Sequence, residues 1–398
     1  MAYFSRFPMF QRPRWGYPMP MRQQPHPLQA VEKVEDNEPF IPPNFDSEEE
    51  EELDDDEPGS GPGPSTEEQY AERPPKFPRA KLIPLKVYRY RSAKGDWKHF
   101  PVSGLHDDTS RRSQESRGRP PPPCSQVRII SWNIDMASPM HEQRLEAALR
   151  HIEEEVLGCK DGGAPEACVI LLQEVRDVVL PYLLRDPWVR RWFAVTPFTK
   201  EKWPEYAHYG NVTLVSRTLD IAESHILHFG CTNMQRSAVC VKLKLNYPGS
   251  YDKVVVAFVN THLESLPVGI QLRPKQLEMS SRFLLLEGVQ GGIIAGDMNC
   301  ICPEDATIPK DLGLKDSWRK GNDEKGNTWG YQGQNEGRHP PGRLDKVFYL
   351  PGMGYRVEES RKIGIGLKID EGTPQAMWVS DHYGLDTKLR IKGRSQSS

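Results

Sequence analysis

From residue 126 onward, short apolar runs alternate with polar breaks, and each run has the length of a strand. Such runs lie at 127–130, 168–172, 211–216, 238–245, 254–260, 292–295 and 344–349, with a last one near 384–389. Runs of this length, rich in Val, Ile and Leu and bounded by Gly, Pro, Asn or Asp, are the pattern of strands buried in a sheet. Two segments follow a helical period instead. Leu145, Ala148, Leu149, Ile152 and Val156 line one face of a predicted helix over 142–157, and 273–287 reads as a second. Many buried strands with few long helices predict an α/β (α+β) fold: a four-layer sandwich of two stacked mixed β-sheets flanked by helices.

Before residue 124 this pattern fades. Of 36 prolines, 21 fall there, and residues 48–57 hold nine acids broken only by Leu53. Residues 1–123 are therefore expected to be a disordered Pro-rich tail, and 124–398 the folded domain. Arg6, Arg12, Arg14 and Arg22 are interleaved with Phe4, Phe7, Phe10, Trp15 and Tyr17. Such a segment suits protein or nucleic-acid partners, although a merely solvated tail explains it too. One island, 86–91 followed by Gly95 and Trp97, alternates as a small hairpin or a binding motif would. Pro120 to Pro123 read as a stiff spacer.

Charge and cysteine content narrow the class. The net charge of −3 becomes +6 once the nine acids are set aside, a balance compatible with nucleic acid. Seven cysteines, an odd number without C-x-x-C, suit a reducing compartment. No stretch of 18 apolar residues and no secretory h-region is present, so the expectation is an intracellular monomer that makes no membrane contact.

The chemistry gathers at the ends of the apolar runs. Asn133 and Asp135 follow the first, Glu174 the second, His262 and Ser265 the fifth, Asp297 and Asn299 the sixth. Asp381 and His382 precede the last. A carboxylate such as Glu174 at a strand mouth suits Mg²⁺, which takes one or two carboxylates and keeps room for phosphate oxygens. A solvent-facing acid is the plainer explanation for it alone. Asp297 can activate water and Asn299 can hold an oxygen without adding charge, while an Asx turn closing a strand is the simpler alternative. His382 beside an acid can be an oriented cation, with Asp345 a candidate to hold its ring. Together, the five segments point to metal-assisted attack on a phosphodiester.

In order, N-x-D, Q-E, T-H-L-x-S, G-D-x-N and S-D-H resemble the endonuclease/exonuclease/phosphatase superfamily, the DNase I-like fold, over about residues 126–392. Residues 131–135, 261–265 and 342–348 look most like the 5′-tyrosyl-DNA phosphodiesterases, and Trp329 is similar to a tryptophan of that group near the DNA path. The resemblance implies metal residues Glu174 and Asp135 for Mg²⁺, with Mn²⁺ as a substitute. It makes Asp297 the group that prepares water, and Asn133 and Asn299 the groups that orient water or phosphate. His382 backed by Asp345 would stabilise developing charge, and Asp381 would set the metal–water network. Arg236, His262, Ser265 and Trp329 would contact substrate. The implied activity is hydrolysis of the bond between tyrosine and a DNA 5′-phosphate, with DNA ends carrying a tyrosyl peptide as partner. Repair of trapped topoisomerase adducts in the nucleus, with some presence in the cytoplasm, would follow. Abasic-site cleavage, deadenylation and a non-catalytic scaffold are the alternatives. Ile301 stands where that group often has arginine, and Met136 and Ala137 depart from its usual turn.

Overall fold

The apolar runs resolve into eighteen strands in a computed structural model that describes residues 78–105, 123–320, 324–333 and 339–393. They are β1 (Lys81–Pro84), β2 (Val87–Arg91), β3 (Asp96–Phe100), β4 (Gln126–Asn133), β5 (Cys168–Arg176), β6 (Phe193–Thr196), β7 (Tyr209–Ser216), β8 (Asp220–His228) and β9 (Ser237–Asn246), followed by β10 (Lys253–His262), β11 (Gly292–Asp297), β12 (Lys315–Asp316), β13 (Asp345–Tyr349), β14 (Tyr355–Val357), β15 (Arg361–Ile363), β16 (Lys368–Ile369), β17 (Met377–Trp378) and β18 (Gly384–Ile391). A seven-stranded sheet runs β1-β8-β9-β10-β11-β13-β12. A nine-stranded sheet runs β14-β18-β4-β5-β7-β6-β2-β3, with β15 also on β18. Both are mixed: β4 pairs parallel with β5 and β10 parallel with β11, while their outer neighbours are antiparallel.

Side chains alternate across each strand, so one run serves two cores. Val127, Ile129, Val169 and Leu171 of one sheet meet Val241, Leu243, Val256, Phe258, Ile293 and Val347 of the other, making the central layer. The intervening residues Ile130, Trp132, Ile170 and Leu172 face outward onto helix α1 (His141–Arg150) through Leu145 and Leu149. Short helices α2 (Leu180–Arg185) and α3 (Pro187–Trp192) add Leu183 and Val189 to that layer. On the far side, Val259 and Ile294 pack under helix α4 (Leu272–Arg282) with Leu277 and Phe283. Each such fully buried side chain contributes roughly 1.5–3 kcal/mol. The predicted four layers are the observed ones.

The predicted start at residue 124 is too late. Strands β1, β2 and β3 lie within the expected tail, yet β1 extends one sheet beside β8, and β2 extends the other beside β6. Leu82, Leu85 and Val87 are buried there, enough apolar surface to hold a short segment on a sheet edge. The alternating island is a hairpin, β2 with β3. The rest of the expected tail, residues 1–77 and 106–122, with its acidic run, lies outside the described residues. The first predicted helix ends its α-helical part at Arg150 and continues as a π turn to Val156; the second stops at Arg282. Among the described residues no helix is long and apolar enough to cross a membrane.

Candidate active site

Three neighbouring strands of the seven-stranded sheet end in register. His262 of β10 lies opposite Asp297 of β11, which lies opposite Asp345 of β13. Gly296 permits the tight approach of β10 to β11. Its φ is +147°, and a Cβ there would meet the Thr261 carbonyl oxygen at 1.8 Å. Across the central core, Asn133 at the end of β4 lies in register with Gln173 of β5, the last pair of that parallel ladder. The two sheets are stitched at this end. Asn133 Nδ2 donates to Asp297 Oδ2 (3.1 Å), and Gln173 Nε2 donates to Asn260 Oδ1 (2.8 Å), whose Nδ2 donates to the Leu172 and Val212 carbonyls. The site is thus held by two rigid sheets and not by loops alone.

Glu174 reaches the site through a β-bulge. The β5–β7 register shifts between Leu172 and Val175, and Glu174 has φ +59°, so the bulge re-aims its side chain. Its Oε2 accepts from the Met136 N–H (2.7 Å), while Oε1 lies 3.8 Å from His262 Nδ1. Burial raises its pKa against the pull of the Met136 N–H, Arg236 and His382. Asp135 is committed elsewhere. Oδ1 accepts from the Ala137 and Ser138 N–H groups (2.9 and 3.1 Å), and Oδ2 pairs with Arg144 at 2.9 Å. Asp135, expected to support the metal shell, shapes the loop whose Met136 N–H holds Glu174. Arg144, buried in α1, completes that loop by donating to the carbonyls of Ile134, Asp135, Ser138 and Val379.

His382 Nδ1 donates to Asp345 Oδ2 at 2.8 Å, the expected pair, and its Nε2 lies 3.7 Å from Asp297 Oδ2 and 3.9 Å from Asp381 Oδ1. Burial alone would strip its proton, but Asp345, Asp381 and Asp297 outweigh burial and hold its pKa well above the usual imidazole value. The three carboxylates thus favour the cationic form of His382. Trp132 Nε1 fixes its carbonyl (3.0 Å), and its N–H rests on Ser380 Oγ (3.0 Å). Burial pushes the Asp297 carboxyl up, opposed first by His382. Asp381 is also raised by burial, and Trp329 Nε1 donates to it at 2.9 Å. Trp329 thus stands at the site, half-buried beside Asp381.

His262 is the opposite kind of imidazole. Arg236 Nη1 donates to its Nδ1 (2.9 Å), which forces the proton onto Nε2. Burial, Arg236 and His382 hold its pKa well below the usual value, so it is neutral. Among the described residues its Nε2 has no hydrogen-bond partner, and it lies 3.4 Å from Asp297 Oδ2. Arg236 also donates to Ser265 Oγ (2.7 Å) and to the Tyr209 hydroxyl (3.1 Å), all neutral acceptors. Asn299 turns its amide inward to the Leu263 carbonyl (3.0 Å), and its N–H caps Asp297 Oδ1 (2.9 Å), the Asx turn of the simpler alternative. All twelve predicted residues are brought together. Arg144, Tyr209 and Asn260 were not singled out as site residues: Arg144 falls within a helix period that reads as surface, Tyr209 stands just before an apolar run, and Asn260 closes one.

This cluster suits a hard divalent cation. Five carboxylates (Glu174, Asp135, Asp297, Asp345, Asp381) face three cations (Arg144, Arg236, His382), and burial raises the pKa of Glu174, Asp297 and Asp381. The oxygen-rich donors beside Glu174 match Mg²⁺-type chemistry. Asp297, Asp345 and His382 also place ligand-type atoms within 4.8 Å of one another. Because His382 there is a hydrogen-bonded cation, that trio is better suited to stabilising negative charge than to ligation.

Comparison with known proteins agrees with this geometry. The model of the Endonuclease/Exonuclease/phosphatase family matches residues 130–382. Among solved structures, D. rerio TDP2 complexed with a single-strand DNA product is similar at TM-score 0.52 and 21% identity, over 67% of this chain and 100% of that one. D. rerio TDP2 humanized by 14 mutations gives 0.51 and 21%, over 67% and 99%. C. elegans TDP2 gives 0.50 and 22%, over 67% and 75%. No curated protein matches. At these identities the structures speak for a shared fold, while the family match covers well over half the chain. The chain belongs to the endonuclease/exonuclease/phosphatase family, hydrolases of phosphodiester bonds built on the DNase I-like fold.

Proposed function

We propose that this protein is a Mg²⁺-dependent phosphodiesterase that hydrolyses the bond between a tyrosine and a DNA 5′-phosphate. The observation that carries the reading is the placement of two buried histidines around one carboxylate, His382 bonded to Asp345 and His262 accepting from Arg236, both within 4 Å of Asp297. Asp297 takes a proton from the attacking water, held in place by Asn133 and by the Asn299 N–H. His382, backed by Asp345, and the unpartnered Nε2 of His262 meet the charge that grows on the phosphoryl oxygens. Arg236 and Ser265 bind the phosphate. A divalent ion held through Glu174 would supply Lewis-acid charge beside the same oxygens. A tyrosine phenolate, with a parent pKa of about 10, leaves without strong acid assistance.

The finer substrate choice rests on the sequence resemblance, and it is supported by the fold shared with TDP2 structures, one of which holds a single-strand DNA product. DNA ends carrying a tyrosyl peptide would be the partner, and the nucleus the compartment where such ends arise. Glu174→Gln tests the metal assignment. The Mg²⁺ concentration giving half-maximal activity should rise by an order of magnitude or more; an unchanged metal titration would remove Glu174 from the metal shell.

A further inference from the structure

Two loops that carry phosphate-binding and water-holding residues end in exposed apolar side chains. Leu266 follows Ser265 and is 58% exposed, Val268 is 62% exposed, and Ile301 lies two residues past Asn299 and is 45% exposed. The loops are built as one unit. The buried Arg273 donates to the Leu266 carbonyl (3.0 Å) and to Cys302 Sγ (3.6 Å), and its Nε donates to Asp305 Oδ1 (2.7 Å). The other Asp305 oxygen accepts from the Ile301 N–H at 3.0 Å. Asn299 Nδ2 ties the same loops again through the Leu263 carbonyl. Leu266 adopts φ +66° and ψ +166°, a region that glycine favours and leucine rarely visits. An exposed leucine held in a glycine conformation adds nothing to the folded core.

We propose that Leu266, Val268 and Ile301 form an apolar lip that packs against the nucleobase retained on the scissile phosphate. This rests on the phosphodiesterase reading above. In-line displacement puts the leaving group opposite the attacking water. Ile301 continues from Asp297 and Asn299, the water-holding side, so the group within its reach is the retained nucleoside and not the departing phenolate. Every base offers an apolar face, so such a lip would tolerate any sequence while preferring an unstacked, single-stranded end.

The test uses the full chain with two esters, thymidine 5′-(4-nitrophenyl) phosphate and methyl 4-nitrophenyl phosphate, read by nitrophenolate release. The Leu266→Gly/Ile301→Ser double variant should raise KM for the thymidine ester about tenfold, with kcat unchanged, and leave the methyl ester untouched. Leu266→Gly alone should raise Tm while still raising KM for the thymidine ester, a pairing that a structural role would not give. Equal effects on both esters overturn the lip and leave the phosphodiesterase standing. So does loss of binding to phosphatidylcholine vesicles in the double variant with KM unmoved, which would make the patch a lipid contact. Hydrolysis of neither ester by the wild type would sink the phosphodiesterase reading itself.

Discussion

At the residue scale, the proposed reaction turns on opposed protonation states. Asp297 must be ionised to take a proton, and burial raises its pKa, so activity should fall as pH drops through that raised value. His382 must stay protonated, and its raised pKa keeps it so until alkaline pH. The same group adds folding stability that is complete below the unfolded value near 6.5 and is lost as pH rises through its higher folded pKa. kcat/KM should therefore trace a bell. Asp345→Asn removes the charge that most favours the His382 cation, and the alkaline limb should move toward neutral pH; a stationary limb would detach His382 from that limb. Asp297→Asn or His382→Ala should cut kcat by about 10²–10⁴-fold with the fold retained by circular dichroism. Both residues were legible in the sequence because each stands beside an apolar run. The engagement of Asp135 by Arg144 was not, since a salt bridge between a loop and a helix leaves no mark in spacing.

At the element scale, the site depends on how strands end. Three in-register ends on one sheet and a bulge on the other bring His262, Asp297, Asp345 and Glu174 together. Gly296→Ala should force β10 and β11 apart, costing on the order of 2–5 kcal/mol in a denaturant titration, with loss of activity. An unchanged midpoint would mean that the strand ends are not closely set. Strands β4, β5, β7, β9, β10, β11, β13 and β18 were readable, since their apolar runs are continuous. β8 was not: Asp220, Glu223, His225 and His228 interrupt its pattern, because parts of it face solvent or pair with lysines, as Glu223 does with Lys242 at 2.9 Å. The bulge at Glu174 was equally silent, as neither Gln173 nor Glu174 is a residue that announces positive φ.

At the scale of the whole molecule, the folded part begins before the apolar pattern becomes continuous. β1–β3 are short and carry several basic residues, with β1 and β3 at sheet edges, so composition assigned them to the tail. Truncation separates the two readings. Removing residues 1–77 should leave Tm and kcat unchanged. Removing 1–105 should lower Tm by at least ~10 °C, because Leu82, Leu85 and Val87 lose their burial; equal melting of the two truncations would contradict the sheet assignment.

The central claim is a metal-dependent cut at a tyrosine–phosphate ester, and one comparison tests it most directly. The full chain is offered a 5′-tyrosyl oligonucleotide, an abasic duplex and poly(A) side by side, with Mg²⁺ and with EDTA, and the products are read by mass spectrometry. Release of tyrosine and a 5′-phosphate end from the first substrate alone, abolished by EDTA, is the expected result. An intact tyrosyl end alongside cleavage of either other substrate, or cleavage that persists in EDTA, would contradict the account.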